Sequence, residues 1–247
     1  MFGRALLCFI MIFSVTLAVP VRADDAKIAV AANFTAPAKE IAALFKASTG
    51  DTVTLSFGAS GQFVTEISNG APYNVFLSAD VDHAKKAEQA GLTVPNSRFT
   101  YATGHLVLWS ENPNLVDEQG KILARGTFTH VAIADPGAAP YGLAAVQYLK
   151  NKGLWAAISP KIVQGKSIAQ VYQFIKSGNA DLGFVALSQV IGKHEGSEWK
   201  VPDADHAPIT QQAVLIKQGA GNRVAKEFMD YLKRPEAQAI IAKYGYN

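Results

Sequence analysis

Cysteine is almost absent from this sequence. The only cysteine among the 247 residues is Cys8, and it lies in an apolar run at residues 5–19. That run follows Arg4 and precedes small residues ending at Ala23, which is the arrangement of a cleavable secretory signal peptide. We therefore expect cleavage near Ala23 and an exported protein that contains no thiol, no disulfide and no cysteine-based metal site or nucleophile.

Long hydrophobic runs and net charge are also scarce. After residue 23 no apolar segment approaches the roughly 20 residues that a membrane-spanning helix requires, and the run at residues 5–19 is itself too short to span comfortably. We therefore expect the exported protein to be soluble. Arg4 and Arg22 fall in the removed segment, which lowers the formal net charge from +3 to +1. This balance argues against a nucleic-acid partner, and it requires any anion site to be built from local dipoles and hydrogen bonds.

Segments typical of strands alternate with segments typical of helices along the rest of the chain. The first helix, at residues 35–48, has Pro37 in its first turn and Gly50 just past its end, as helices prefer. Predicted strands occupy residues 27–31, 53–57, 74–78, 106–109, 131–134, 182–185 and 213–217. This alternation predicts an α/β fold with largely parallel sheets. In such folds ligands bind beyond the carboxyl ends of strands, where helices begin.

Four strand-to-helix junctions contain small or hydrogen-bond-donating residues, at residues 31–34, 58–61, 135–142 and 164–168. At the second junction a helix begins at Ser60 directly after a strand, so its hydroxyl and the following N–H groups can point at one spot, which favours an anion. At the third, Tyr141 has a free backbone N–H and a hydroxyl that can reach outward. Helix capping explains any single junction as well, whereas four together suggest a common anion site.

Catalytic motifs are incomplete. Residues 58–62 approach the Gly-x-Ser-x-Gly nucleophile elbow, but Gln62 stands where the last glycine is needed. The five histidines show no spacing that selects a general base for Ser60. Residues 219–221 begin like a dinucleotide fingerprint, but Val224 occupies the third glycine position. A serine hydrolase that uses Ser60 stays open as the alternative to a binding protein, and a serine-directed reagent would separate the two.

Several longer segments carry a family resemblance. They read Val-Ala-Ala-Asn-Phe-Thr at 30–35, Ser-Phe-Gly-Ala-Ser-Gly at 56–61, Asn-Gly-Ala-Pro-Tyr-Asn-Val-Phe-Leu-Ser-Ala-Asp at 69–80, Ala-Pro-Tyr-Gly-Leu-Ala at 139–144, Ala-Asp-Leu-Gly-Phe-Val-Ala at 180–186 and Tyr-Leu-Lys-Arg-Pro-Glu-Ala at 231–237. With them the chain resembles the periplasmic molybdate-binding proteins of ABC importers, over residues 27–246.

The resemblance implies a type II periplasmic-binding-protein fold with two lobes, each a mostly parallel sheet flanked by helices. The implied first lobe comprises residues 24–103 with 211–247, and the second comprises residues 104–210. The implied oxyanion site consists of Asn33, Ser60, Ala79, Tyr141 and Ile168. Asn33, Ser60 and Ile168 are implied to hold the oxygens of the oxyanion, and no residue is implied to ligate its central metal atom directly. Some family members place a tyrosine hydroxyl where this chain has Ala186, so Asn33, Tyr141 or backbone groups must supply that donor.

The function that the resemblance implies is capture of molybdate, and of tungstate, for delivery to permease subunits of an ABC transporter in the inner membrane. The protein would be a periplasmic monomer without catalytic activity, without a cofactor and without a nucleic-acid partner. A site of N–H and O–H donors suits molybdate because this dianion carries no proton at neutral pH, and a protonated ligand would find no acceptor there. Another small oxyanion is the alternative ligand.

Overall fold

The computed structural model describes residues 25–247, so the predicted signal peptide and the cleavage near Ala23 lie outside the described residues. The described strands are β1 (Asp25–Ala31), β2 (Thr52–Gly58), β3 (Val75–Ser78), β4 (Phe99–Gly104), β5 (Leu106–Ser110), β6 (Val131–Ala134), β7 (Ile162–Gly165), β8 (Leu182–Ala186), β9 (Ser197–Lys200) and β10 (Ile209–Leu215). The described helices are α1 (Thr35–Thr49), α2 (Ser60–Ser68), α3 (Val81–Gln89), α4 (Ile122–Arg125), α5 (Pro140–Asn151), α6 (Trp155–Ile158), α7 (Ile168–Lys176), α8 (Leu187–Val190), α9 (Arg223–Tyr231) and α10 (Pro235–Lys243).

The strands form two sheets of five strands each. Their orders are β2-β1-β3-β10-β4 and β7-β6-β8-β5-β9. In the first sheet only β10 runs against its neighbours, and in the second only β5 does, so four strands of each sheet share one direction. This confirms the predicted α/β fold with mostly parallel sheets.

Each sheet carries its own helices and its own hydrophobic core. Helices α1, α2, α3, α9 and α10 pack on or beside the first sheet, and α4 to α8 pack with the second. Phe45 contacts Phe228 edge-to-face in the first core, and Trp109 stacks on Tyr172 in the second. We call each sheet with its helices a lobe. The boundaries of the lobes at residues 103, 104, 210 and 211 stay a prediction.

Two segments connect the lobes. The chain passes from β4 to β5 through His105 and returns from β9 to β10 through residues 201–208. His105 Nδ1 lies 2.9 Å from Asp203 Oδ1, which joins the two crossings. Among residues 25–247 no helix is both long enough and apolar enough to cross a bilayer.

Three strands were not predicted from the sequence. β9 reads Ser-Glu-Trp-Lys, pairs only with β5 and exposes Glu198 and Lys200 to solvent, so it has no apolar run to signal it. β7 is four residues long and includes Gly165. β4 mixes small and polar residues and pairs only with β10, in a register that shifts at Gln211.

Candidate functional site

A small cavity of about 10 Å³ lies where the two lobes meet. All five residues that the resemblance implied line it, namely Asn33, Ser60, Ala79, Tyr141 and Ile168. The other lining residues are alanines, Gly58 and Pro140, which come from the same junctions. The four junctions predicted from the sequence therefore converge on one small space, and this convergence could not be derived from the sequence.

The cavity is built where helices begin. Ser60 and Ile168 are the first residues of α2 and α7, and Tyr141 is the second residue of α5, directly after Pro140. Asn33 lies in a short 3-10 turn that continues into α1. The first N–H groups of a helix have no partner inside the helix, and the helix dipole gives this end a partial positive charge. Asn33 and Ser60 belong to the first lobe, and Tyr141 and Ile168 belong to the second.

The cavity has donors but no formal charge. None of the described residues that line it is a lysine, arginine, histidine, aspartate or glutamate. An anion in this space would be held by neutral N–H and O–H groups at helix starts, which is a known way to bind anions. Among residues 25–247 no group of three or more histidine, cysteine or carboxylate side chains could hold a metal ion.

The hydroxyl of Ser60 is set up as a donor. The backbone N–H of Ala79 donates to Ser60 Oγ at 3.0 Å, and both residues are buried. Because the oxygen already accepts this bond, its own proton is available to a group in the cavity. Ala79 therefore lines the cavity, but its N–H acts through Ser60 and does not itself face the cavity as a donor.

The side chains of Asn33 and Tyr141 point away from the cavity. Asn33 Nδ2 donates to Gln211 Oε1 at 2.9 Å and to the Tyr246 hydroxyl at 3.0 Å. The Tyr141 hydroxyl accepts from Gln211 Nε2 at 3.3 Å, and burial raises the pKa of Tyr141 well above its ordinary value. The expectation that this hydroxyl reaches outward is wrong. Both residues can offer the cavity only their backbone N–H groups as donors.

Ala186 stands where some members of the family that the sequence resembles have a tyrosine donor. Ala186 is fully buried and does not line the cavity, and its N–H donates to Gln189 Oε1 at 2.9 Å. The side chains of Asn33 and Tyr141 are engaged elsewhere, so of the substitutes considered from the sequence only backbone groups stay available.

The two lobes touch beside the cavity, at the residues that follow Ser60 and precede Ala139. Gly61 N–H donates to the carbonyl oxygen of Ala138 across the lobes at 2.9 Å. A Cβ atom at Gly61 would lie 2.9 Å from Ala138 Cα and 2.9 Å from His83 Nε2, closer than real contacts allow. Glycine is required here because the opposite lobe approaches so closely, and not because of a left-handed backbone.

Sequence reasoning missed the buried polar residues behind the cavity. Gln211, Tyr246, Ser188 and Tyr101 hydrogen-bond to one another, to Asn33 or to Tyr141. Gln211 lies in the part of β10 that precedes the predicted strand at residues 213–217, and it is fully buried, so no local signal marked it.

The serine hydrolase alternative lacks a base. Ser60 Oγ accepts from Ala79, and no histidine in the described part of the chain is hydrogen-bonded to it. His83, whose Nε2 lies near Gly61, directs Nδ1 to Asp80 Oδ2 at 2.8 Å. The elbow-like segment at residues 58–62 therefore has no partner for nucleophilic catalysis.

The profile of the bacterial extracellular solute-binding protein family matches residues 26–247. The molybdate-binding protein ModA of Rhodobacter capsulatus is 56% identical over 230 residues, which cover 93% of this chain and 91% of that protein. ModA of Azotobacter vinelandii is 52% identical, with 93% and 92% covered. The solved periplasmic molybdate-binding protein of Azotobacter vinelandii superposes with a TM-score of 0.86 at 45% identity, covering 90% of this chain and 98% of that chain.

Proposed function

The chain belongs to the bacterial extracellular solute-binding protein family, and from this premise we propose that it captures molybdate in the periplasm and delivers it to the permease of an ABC importer. The observation that carries the proposal is the charge-free cavity at which helix starts from both lobes meet. The 56% and 52% identical relatives named as molybdate-binding proteins support the choice of ligand. The protein acts by binding and not by catalysis.

The donors of the cavity suit the chemistry of molybdate. The ion is tetrahedral, carries two negative charges and has no proton at neutral pH, so each oxygen can only accept hydrogen bonds. A hydrogen bond to a charged group contributes about 1.5–3 kcal/mol, and several such bonds offset the cost of removing a dianion from water. An anion that must donate a proton would find no acceptor matched to it and would be bound less well.

Each site residue has a distinct role in this proposal. Ser60 donates through its hydroxyl and its N–H, and Ala79 orients that hydroxyl. The N–H groups of Asn33, Tyr141 and Ile168 donate to the other oxygens. Molybdenum itself is not ligated by the protein, because Asn33, Ser60 and Ile168 meet only the oxygens around it.

The same donors set the selectivity. Tungstate has nearly the size and charge of molybdate and binds at the same site. Sulfate is smaller and leaves some donors without a partner, which costs affinity. The protein works as a monomer that presents the closed lobes to permease subunits in the inner membrane.

Calorimetry on the exported form of the protein with molybdate, tungstate, sulfate and phosphate tests this proposal. We expect tight one-to-one binding of molybdate and tungstate and weak or no binding of sulfate and phosphate. Tight binding of another anion, together with no heat from molybdate, would overturn the ligand assignment while leaving an oxyanion-binding function in place. Reaction of Ser60 with a serine-directed reagent would instead revive the hydrolase alternative.

A further inference from the structure

Behind the cavity the structure contains a connected set of buried polar side chains. We call this set the closure network, and its members are Asn33, Tyr101, Tyr141, Ser188, Gln211 and Tyr246. Each has a relative exposure of 6% or less. Buried polar groups are costly unless they are hydrogen-bonded, and every member of the network is bonded to another member. Their positions relative to one another are therefore tightly constrained.

Tyr246 forms two hydrogen bonds with Asn33. Its hydroxyl accepts from Asn33 Nδ2 at 3.0 Å and donates toward the Asn33 carbonyl oxygen at 2.9 Å. Tyr246 is the next-to-last residue of the chain, and the tail is fixed by two backbone bonds between Asn247 and Thr103, of 2.7 and 3.1 Å. The side chain and the carbonyl oxygen of Asn33 are thus both held by the carboxyl-terminal tail.

The closure network also joins the two lobes. Ser188 lies in α8 of the second lobe, and its hydroxyl donates to the Asn33 carbonyl oxygen in the first lobe at 2.8 Å. The Tyr246 hydroxyl lies 2.9 Å from Ser188 Oγ. A second crossing runs from Gln211 Nε2 in β10 to the Tyr141 hydroxyl in α5. The partners of each bond belong to different lobes, so an opening that separates these partners would break it.

The geometry points to a latch: Tyr246 and Ser188 hold the lobes closed and position Asn33 for the ligand, although neither residue lines the cavity. This inference rests on the proposed function, because it assigns these residues a part in retaining the bound oxyanion. Ligand that is bound by donors from both lobes escapes only when the lobes open. A latch that favours the closed state therefore slows dissociation, and its removal raises the population of the open state.

The test is the dissociation rate of molybdate from Tyr246→Phe, Ser188→Ala and the double variant. Tyr246→Phe removes only the hydroxyl and keeps the ring, which packs edge-to-face on Phe34 at 5.4 Å. We expect each single variant to release molybdate about fivefold to tenfold faster, with little change in the association rate. The double variant should fall short of the product of the two effects, because both side chains bind the same carbonyl oxygen.

Tyr244→Phe is the matched control. Tyr244 lies two residues earlier in the same tail, and its hydroxyl donates to Glu40 Oε2 at 2.9 Å, on α1 of the same lobe. This variant loses a hydrogen bond of the tail whose partner lies in the first lobe, so no hydrogen bond between the lobes is lost. We expect its dissociation rate to match that of the wild type. Equal dissociation rates in the wild type, Tyr246→Phe and Ser188→Ala, even with lowered melting temperatures, would reduce the network to a structural role and overturn the latch.

Small-angle scattering of the ligand-free proteins separates this inference from the proposed function. If the wild type fails to bind molybdate, the proposed function fails and the latch is judged by the scattering alone. A larger radius of gyration for the double variant than for the wild type and Tyr244→Phe would then support the latch. Identical scattering curves would overturn it in that case.

Discussion

Replacing Ser60 with alanine should weaken molybdate binding by about tenfold to a hundredfold while leaving the protein folded. The Ser60 hydroxyl accepts from Ala79 N–H at 3.0 Å and keeps its own proton for the ligand. Its removal deletes one hydrogen bond to a buried dianion, worth about 1.5–3 kcal/mol, which corresponds to that loss of affinity. Calorimetric titration of the wild type and the variant under the same conditions measures the loss.

The variant should also be less stable, for a reason that differs from helix capping. Ser60 is the first residue of α2, and the capping position before it is Ala59, so the Ser60 side chain does not cap the helix. Ser60→Ala instead leaves the buried Ala79 N–H without its partner, at a cost of about 1–3 kcal/mol. Thermal unfolding without ligand measures this second effect independently.

Ser68→Ala is the matched control for this experiment. Ser68 ends the same helix, and its hydroxyl donates to the Val64 carbonyl oxygen at 2.7 Å, away from the cavity. We expect this variant to bind molybdate as the wild type does. Equal affinities for Ser60→Ala and the wild type would remove Ser60 from the site and refute the neutral-donor description of the cavity.

Three further predictions concern the ligand, the contact between the lobes beside the cavity, and pH. Molybdate at a hundred times its Kd should raise the melting temperature by about 5–10 °C, since it adds about 2.7 kcal/mol; an unchanged melt would contradict binding. Gly61→Ala should impair closure and weaken binding by calorimetry, because its Cβ would meet Ala138, whereas Gly221→Ala, which has open space, should not; equal losses in both would contradict the close-approach argument. Affinity should change little between about pH 6 and 9, because the proposed N–H and Ser60 O–H donors do not titrate there and burial raises the pKa of the Tyr141 hydroxyl behind the cavity. A steep pH profile, or a large loss of affinity in Lys166→Ala, which changes an exposed residue of the fourth junction, would show that formal charge is used.

The elements that the sequence predicted are those with a local signal. β1, β3, β6 and β8 are short apolar runs that lie fully or mostly buried, and α1 has proline in its first turn and glycine at its end. β9 has no such signal, because it is an edge strand with one neighbour. β10 begins at Ile209, earlier than predicted, because its polar first half is buried by contact with β4. The existence of β9 and the start of β10 both depend on pairing with distant strands, which a local sequence pattern does not encode.

The candidate site shows the same division between local and distant information. The four junctions around the cavity could be located from the sequence because helix starts and small residues are local features, and the family resemblance then implied the individual residues. The atoms that each residue offers could not be named. Asn33 turns its side chain away because Gln211 and Tyr246, which are 178 and 213 residues distant in sequence, take both of its amide protons. Tyr141 turns inward for the same reason, toward Gln211.

A site without formal charge gives lobe motion control over the ligand. A lysine or arginine on one lobe would continue to attract the dianion after opening, because Coulomb attraction extends over about 8–10 Å at physiological salt. Hydrogen bonds need contact within about 3 Å, so in the proposed site separating the lobes would remove the donors of Tyr141 and Ile168 from an ion that stays at Asn33 and Ser60. Opening by a permease then leaves only about half of the donors engaged. Neutral donors divided between two lobes would thus permit tight capture in the closed state and much weaker binding, and so release, in the open one.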